Sequence, residues 1–177
     1  MYKKILLATD GSATAELAMR EAARLAQDGA VLRVAVVVDN PALRYPAPYG
    51  ITYDVGAMRN AVLEGGRQIL AKALKQLEDL GVNAEGHLVD QTESVSGDTA
   101  RAILAEANSW GAEVIVIGSH GRSGMKRLFL GSVAEHVMRA SSLPVLLVRG
   151  RPGEAVGNAL NPGEIYGSWP EDEIIKE

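Results

Sequence analysis

Five short runs of apolar residues alternate along the chain with four segments in which apolar residues recur at helical spacing. Most of these runs are continuously apolar and rich in Val, Ile and Leu, which is typical of strands covered on both faces. Parallel neighbours in a sheet need a crossover connection, which is usually a helix. The alternation therefore predicts an α/β fold, a doubly wound five-stranded parallel sheet with helices on both faces.

The predicted elements end where glycine or proline interrupts an apolar pattern. A short helix is predicted over residues 132–140, and a long loop over residues 39–56, which are rich in Pro, Gly and Tyr and show no periodicity. The predicted strands cover residues 5–8, 31–38, 82–89, 114–117 and 144–148.

Two predicted helices carry further signals in the sequence. Ser12 or Thr14 can cap the helix after the first strand, because a hydroxyl oxygen accepts a hydrogen bond from a free backbone N–H. The longest helix is predicted to end near Gly81. Its apolar stripe consists of Val62, Ile69, Ala73, Leu77 and Leu80.

Composition and charge exclude several classes of function. The net charge is −4 and the basic residues are scattered, which favours neither nucleic acid nor an anionic membrane as a partner. The lack of cysteine excludes disulfides and thiolate catalysis. No apolar run approaches the ~20 residues that span a bilayer, and the first strand begins too early to leave room for a signal peptide. We therefore expect a cytoplasmic protein.

The composition changes after Arg149 and divides the chain into two parts. Residues 151–177 contain six acidic residues against two basic ones, so this segment accounts for the whole net charge of −4. Three prolines and several glycines in the same segment are typical of an extension outside a packed core. We predict one domain over residues 1–150, followed by an acidic tail over residues 151–177.

Two loops carry polar residues suited to ligand binding. In open parallel sheets, ligands bind beyond the carboxyl ends of the strands, where the direction of winding reverses. Residues 9–12 follow the first strand and contain Asp10 with two hydroxyl side chains. Residues 118–132 follow the fourth strand and are rich in glycine. Because both segments leave the same edge of the predicted sheet, we expect them to line one site.

The second loop has three features that favour an anion. Its glycines let backbone amides approach a ligand closely. Positive charge comes from Arg122, Lys126 and Arg127. Gly131-Ser132 then opens a helix, whose free N–H groups and dipole attract a phosphate.

Each of these features also has a purely structural interpretation. Ser132 with Glu135 matches the capping-box pattern, which needs no ligand. The glycines can make an ordinary turn, Asp10 can start a helix, and the basic residues can form a solvated face. Each feature taken alone favours the structural interpretation, and only their combination favours a binding site.

The spacing Gly118-x2-Gly121-x9-Gly131-Ser132 resembles the nucleotide-binding signature of the ATP-binding branch of the universal stress proteins, G-2x-G-9x-G-(S/T). Residues 4–12 are similar to that family's opening strand and acidic turn, and residues 143–148 to its closing strand. The resemblance covers residues 2–149. Three landmarks in the right order are more specific than a single glycine motif.

The resemblance implies strand order 3-2-1-4-5 and a regulatory protein of the stress response that binds ATP, with Mg²⁺ or Mn²⁺ on the phosphates. It also implies a homodimer formed through the last strand. Adenine would meet Val37, with Val38 as the alternative one residue on. The other residues implied to bind the nucleotide are Ala8, Thr9, Asp10, Ile117, Gly118, His120, Gly121, Arg122, Gly131, Ser132, Val133 and Ala134.

Enzymatic alternatives have weaker support in the sequence. Slow ATP hydrolysis or nucleotidyl transfer stays open, although the chain lacks the Gly-Lys pair of a Walker loop and no catalytic residue is assigned. A serine hydrolase would need Ser119 or Ser123 with His120 and Asp10, yet neither serine lies in Gly-x-Ser-x-Gly. The three histidines share no metal-ligand spacing, so no protein metal site is expected.

Overall fold

A computed structural model of the chain describes residues 2–27, 29–39, 54–94, 97–121 and 130–150, and within them five strands alternate with four helices. None of these helices is both long and apolar enough to cross a bilayer. The elements are β1 Lys4–Ala8, α1 Ala13–Leu25, β2 Val31–Asp39, α2 Val55–Asp79, β3 Ala84–Gln91, α3 Thr99–Trp110, β4 Val114–Gly118, α4 Ser132–Ala140 and β5 Val145–Val148.

The strands form one parallel sheet in the order β3-β2-β1-β4-β5, which confirms the predicted fold. The chain winds from β1 outward through β2 to β3, and then returns to the other side of β1 for β4 and β5. The winding direction therefore reverses between β1 and β4. Ala8, the last residue of β1, pairs with Ala35 on one side and Ile117 on the other.

The core lies on both faces of the sheet, which explains the continuously apolar strands. Side chains along β1 alternate, so Ile5 and Leu7 pack with α1 and α2 while Leu6 packs with α3 and α4. All three are fully buried. Because β1 also has a strand on each edge, it is enclosed on every side.

Element boundaries differ from the prediction mainly at the periphery. Strand β3 covers Ala84–Gln91 rather than residues 82–89, and most of its side chains are partly or fully exposed because it is an edge strand. Leu80 follows the end of α2 and is 57% exposed, so its assignment to the apolar stripe was wrong. Helix α2 begins at Val55, inside the predicted loop, while residues 40–53 lie outside the described part of the chain.

Side chains at the helix starts satisfy backbone N–H groups that have no partner inside the helix. Ser12 caps α1 as predicted, with its Oγ accepting from Ala15 N at 3.3 Å. Asp54 and Asp98 cap α2 and α3, and the carboxylate of Asp98 accepts from Arg101 N at 3.0 Å. That bond, with the nearby charge of His136, holds the pKa of Asp98 below its ordinary value of 3.8.

We predict that Asp98→Ala lowers the free energy of unfolding by about 1 kcal/mol at neutral pH, because it removes the cap of α3. Asp98→Asn keeps an accepting oxygen and serves as the matched control. A lowered folded-state pKa means that the charged form stabilises the protein above pH 3.8 and that this contribution fades as the pH falls through the folded-state pKa. Urea unfolding should therefore show a smaller Asp98→Ala penalty below pH 3.8 than at neutral pH. An equal penalty at both pH values would contradict this account.

Candidate functional site

A cavity of about 520 Å³ lies at the carboxyl ends of β1, β2 and β4, where the winding direction reverses. Val37 lines it, whereas Val38 faces the other way and packs in the cluster that contains Leu63 and Ile69. Arg122 is outside the described residues. The other residues singled out in the sequence that line the cavity are Ala8, Thr9, Asp10, Ile117, Gly118, His120, Gly121, Gly131, Ser132, Val133 and Ala134.

The sequence did not identify every residue of the cavity wall. Asp39 ends β2 and Thr99 begins α3, so both stand at the edge where parallel sheets bind ligands. The rule about strand ends was enough to find Asp39. Ala15, Ala35 and Ile103 complete the wall, and nothing in their residue types separates them from the rest of the core.

The turn between β1 and α1 holds Asp10 at the mouth of the sheet. Gly11 has a φ of +78°, a conformation that residues with a side chain rarely adopt. The Asp10 carboxylate accepts from Ser12 N at 3.0 Å, and Thr9 Oγ1 accepts from Gly11 N at 3.3 Å. These bonds place a carboxylate beside the cavity on a short and well-bonded turn.

The start of the glycine-rich loop is fixed by three other elements. The hydroxyls of Thr14 and Ser12, at the start of α1, donate to the carbonyl oxygen of His120. Ser119 N donates to Val148 O of β5 at 2.8 Å, and Ser119 O accepts from Gly131 N at 2.8 Å. Residues 118–121 are therefore held between α1, β5 and the start of α4.

The motif glycines differ in how closely the protein packs against them, and Gly118 is the most tightly enclosed. A Cβ on Gly118 would lie 2.9 Å from the Thr14 carbonyl carbon and 3.0 Å from Ala15 N, both backbone atoms. A Cβ on Gly121 would lie 2.7 Å from Asp10 Oδ2, and one on Gly131 would lie 3.2 Å from Ser119 O. Contact with a ligand is therefore not required to explain the glycine at position 118, whereas Asp10 or Ser119 could shift slightly to admit a side chain at positions 121 and 131.

Helix α4 begins at the cavity without a side-chain cap. Gly131 is the N-cap residue and makes no side-chain hydrogen bond, and Ser132 is already the first helical residue. The capping-box interpretation of Ser132 and Glu135 was wrong, because the serine lies one position too far into the helix to act as the N-cap. Within the described ranges, the first backbone N–H groups of α4 therefore have no capping side chain, as at helix starts that bind anions.

Carboxylates are present at the cavity but do not form a metal cluster. Asp10 and Asp39 both line it. Within the described ranges, no group of three His, Cys, Asp or Glu side chains is arranged to hold a metal ion. A divalent ion here would depend on oxygens of a bound ligand, as Mg²⁺ commonly does with phosphates.

Comparison with known proteins identifies relatives that align with most of this chain. The model of the universal stress protein family matches residues 1–149. Universal stress protein YxiE of Bacillus subtilis is 35% identical over 154 residues, which cover 84% of this chain and 100% of that protein.

Two solved structures resemble the fold closely. A universal stress protein from Burkholderia pseudomallei has a TM-score of 0.64 and 34% identity, covering 83% of this chain and 96% of its own. The universal stress protein of Archaeoglobus fulgidus in complex with dAMP has a TM-score of 0.57 and 26% identity, covering 83% of this chain and 98% of its own.

We predict that Gly118→Ala destabilises the fold by about 1 to 3 kcal/mol, because the new methyl group would press on the backbone of α1. Gly131→Ala, whose Cβ meets Ser119 O at 3.2 Å, should cost less. Urea unfolding of the two variants gives the comparison. Parental stability in Gly118→Ala would show that the contact between β4 and α1 is less tight than described.

Proposed function

The chain belongs to the universal stress protein family, and we propose that it is a regulatory nucleotide-binding protein that binds ATP in the cavity between β1 and β4. The observation that carries this proposal is the start of α4, which lines the cavity and has no side-chain cap from any residue that the structure describes. The cavity volume of about 520 Å³ falls in the range typical of small-molecule sites. The dAMP complex of the Archaeoglobus fulgidus relative supports an adenine nucleotide as the ligand class.

The nucleoside end of the ligand is assigned to β1 and β2. Ala35 and Val37 provide an apolar wall beside which an adenine ring can pack. Thr9 and Asp10 bring a hydroxyl and a carboxylate that can bond to the ribose. Asp10 is already held by Ser12 N, so it can accept ribose hydroxyls without first being ordered.

The phosphate end is assigned to the start of α4. The backbone amides of Ser132 and Val133 belong to the first helical turn, where N–H groups have no intrahelical partner. Ser132 is the first residue of the helix, and its hydroxyl can donate to a phosphate oxygen. Mg²⁺ or Mn²⁺ would be held mainly by the phosphates.

Slow hydrolysis of ATP is a second candidate because His120 and Asp10 both line the cavity. For the serine hydrolase alternative, Ser119 is only 1% exposed and is not among the described residues that line the cavity, and Ser123 lies outside the described residues. Nucleotidyl transfer has no separate observation in its favour. We assign binding as the function and no catalytic residue.

The domain boundary and the location belong to the same proposal. The nucleotide-binding domain would comprise residues 1–150, and the family match ends at residue 149. The acidic tail, residues 151–177, lies outside the described residues. The cytoplasm is the compartment proposed for the protein, because a soluble regulator of this kind would meet ATP there.

We predict that calorimetric titration of the full chain detects ATP binding in the presence of magnesium. Ser132→Ala should weaken ATP binding by about 1.5 to 3 kcal/mol and adenosine binding far less. The reason is that only ATP has phosphate oxygens to which the Ser132 hydroxyl could donate. Asp10→Ala should weaken ATP and adenosine by similar factors. Ser109→Ala, which removes a hydroxyl near the end of α3, is the control. If Ser132→Ala bound ATP as tightly as the unchanged protein, the assignment of the phosphates to the start of α4 would be wrong.

A homodimer through β5 is also part of the proposal. In the described part of the chain the outer edge of β5 has no strand partner, and Leu146 on this strand is 37% exposed. An unpaired apolar edge promotes association, and a twofold mate would cover it. We predict a dimer by light scattering at micromolar concentration and a monomer for Leu146→Lys. A monomeric parent would contradict the dimer.

A further inference from the structure

A buried serine lies against the histidine of the cavity. Ser119 is 1% exposed, and its Oγ is 2.9 Å from His120 Nδ1. The other ring nitrogen, His120 Nε2, is also buried, and among the described residues it has no hydrogen-bond partner. A polar atom left in this state is unusual in a folded protein and calls for an explanation.

The surroundings of Ser119 determine which way its hydrogen bond runs. Within the described residues, Nδ1 is the one hydrogen-bond partner of Ser119 Oγ. If Oγ only accepted from Nδ1–H, its own buried O–H would have no acceptor, which is unfavourable. The buried lone pair on Nε2 would also be without a partner in that state. When Oγ–H donates, Nδ1 is the acceptor and Nε2–H is the one group of the pair left without a partner among the described residues. A neutral imidazole carries one proton, so that proton is then on Nε2.

The histidine is held rigidly in this arrangement. Its carbonyl oxygen accepts from Ser12 and Thr14 at the start of α1. The backbone of Ser119 is bonded to Val148 on one side and Gly131 on the other. The backbone of His120 is therefore anchored on both sides, and His120 is one of the residues that line the cavity.

We propose that Ser119 is a positioning residue that holds neutral His120 as its Nε2–H tautomer, so that His120 donates a hydrogen bond to an acceptor oxygen of the bound nucleotide. This inference rests on the proposed nucleotide function and specifies the hydrogen bond that His120 makes to the ligand. The Nε2–H tautomer has no lone pair on Nε2 to take a proton from water. His120 in this state is a binding residue and is not a general base.

Two other histidines provide an internal comparison. Nδ1 of His87 lies 2.7 Å from the carboxylate of Glu106, and Nδ1 of His136 lies 3.7 Å from that of Asp98. A carboxylate only accepts, so Nδ1 of His87 must carry a proton. His120 and His87 are thus predicted to place the proton on opposite nitrogens when neutral.

Nitrogen NMR of the ¹⁵N-labelled full chain without nucleotide tests the tautomer directly. At a pH of about 8, where an ordinary imidazole is neutral, His120 should be protonated at Nε2 in the parent and in Ser119→Thr. Ser119→Ala should raise the population protonated at Nδ1, while the His87 signals stay unchanged. The His120 signals are assigned by their loss in His120→Gln. A His120 protonated at Nδ1 in the parent, or populations unchanged in Ser119→Ala, would overturn the positioning role.

Calorimetric titration with ATP and magnesium tests the consequence for binding. Ser119→Ala should weaken ATP about three- to tenfold, and Ser119→Thr, which keeps the hydroxyl, should recover most of that loss. Urea unfolding of each variant checks that the fold is retained. Equal ATP affinity in the parent and Ser119→Ala would overturn the donated bond. No ATP binding by the parent would overturn the nucleotide function. The tautomer of His120 is measured without nucleotide, so the NMR result decides it independently of ATP binding.

Discussion

The close packing of α1 on the end of β4 determines the shape of the site. Gly118 lets the backbone of Thr14 approach, and the hydroxyl groups of Ser12 and Thr14 then reach the carbonyl oxygen of His120. This contact joins the start of α1 to the loop after β4, although Thr14 and His120 are 106 residues apart in the sequence. Without it the loops after β1 and β4 would still leave the same sheet edge, but Asp10 and His120 would not be held on one cavity wall.

The wall formed by α3 depends on a separate set of charged contacts. Glu106 of α3 is only 7% exposed, and its carboxylate bonds to Arg33 of β2 at 2.9 Å and His87 of β3 at 2.7 Å. The Arg33 guanidinium also lies 4.6 Å from the centre of the Trp110 ring. A buried carboxylate that lost these partners would be strongly unfavourable, so the cluster fixes where α3 lies on the sheet. Thr99 and Ile103 face the cavity as a result.

The sequence predicted the fold well because burial dominates the pattern of the central strands. Strands β1 and β4 have almost no polar residues, and α4 was bounded correctly at Ser132 and Ala140. Prediction failed where local signals compete with tertiary structure. Leu80 fits a helical stripe in the sequence, yet the helix ends one residue before it, and β3 has a weak pattern because one edge faces solvent.

The candidate site was predictable in its location but not in its bonding. Strand-end loops and glycine spacing are visible in a sequence, and they locate the cavity between β1 and β4. The capping role of Gly131 and the partner of Ser119 depend on contacts between distant segments, which no local pattern encodes. Ser119 could be considered a nucleophile from sequence because only the structure shows that its hydroxyl is buried.

The direction of the bond between Ser119 and His120 bears on whether this fold binds or cleaves its ligand. A histidine that acts as a base through Nε2 carries its proton on Nδ1, where an acceptor holds it, so that the lone pair on Nε2 can take a proton. A carboxylate imposes that state, whereas a buried serine hydroxyl with a proton to donate imposes the opposite one. The surroundings of His120 therefore provide a fixed hydrogen-bond donor. A donor at this position can bond to a bound anion but cannot take a proton from water, which agrees with the binding role proposed for the site.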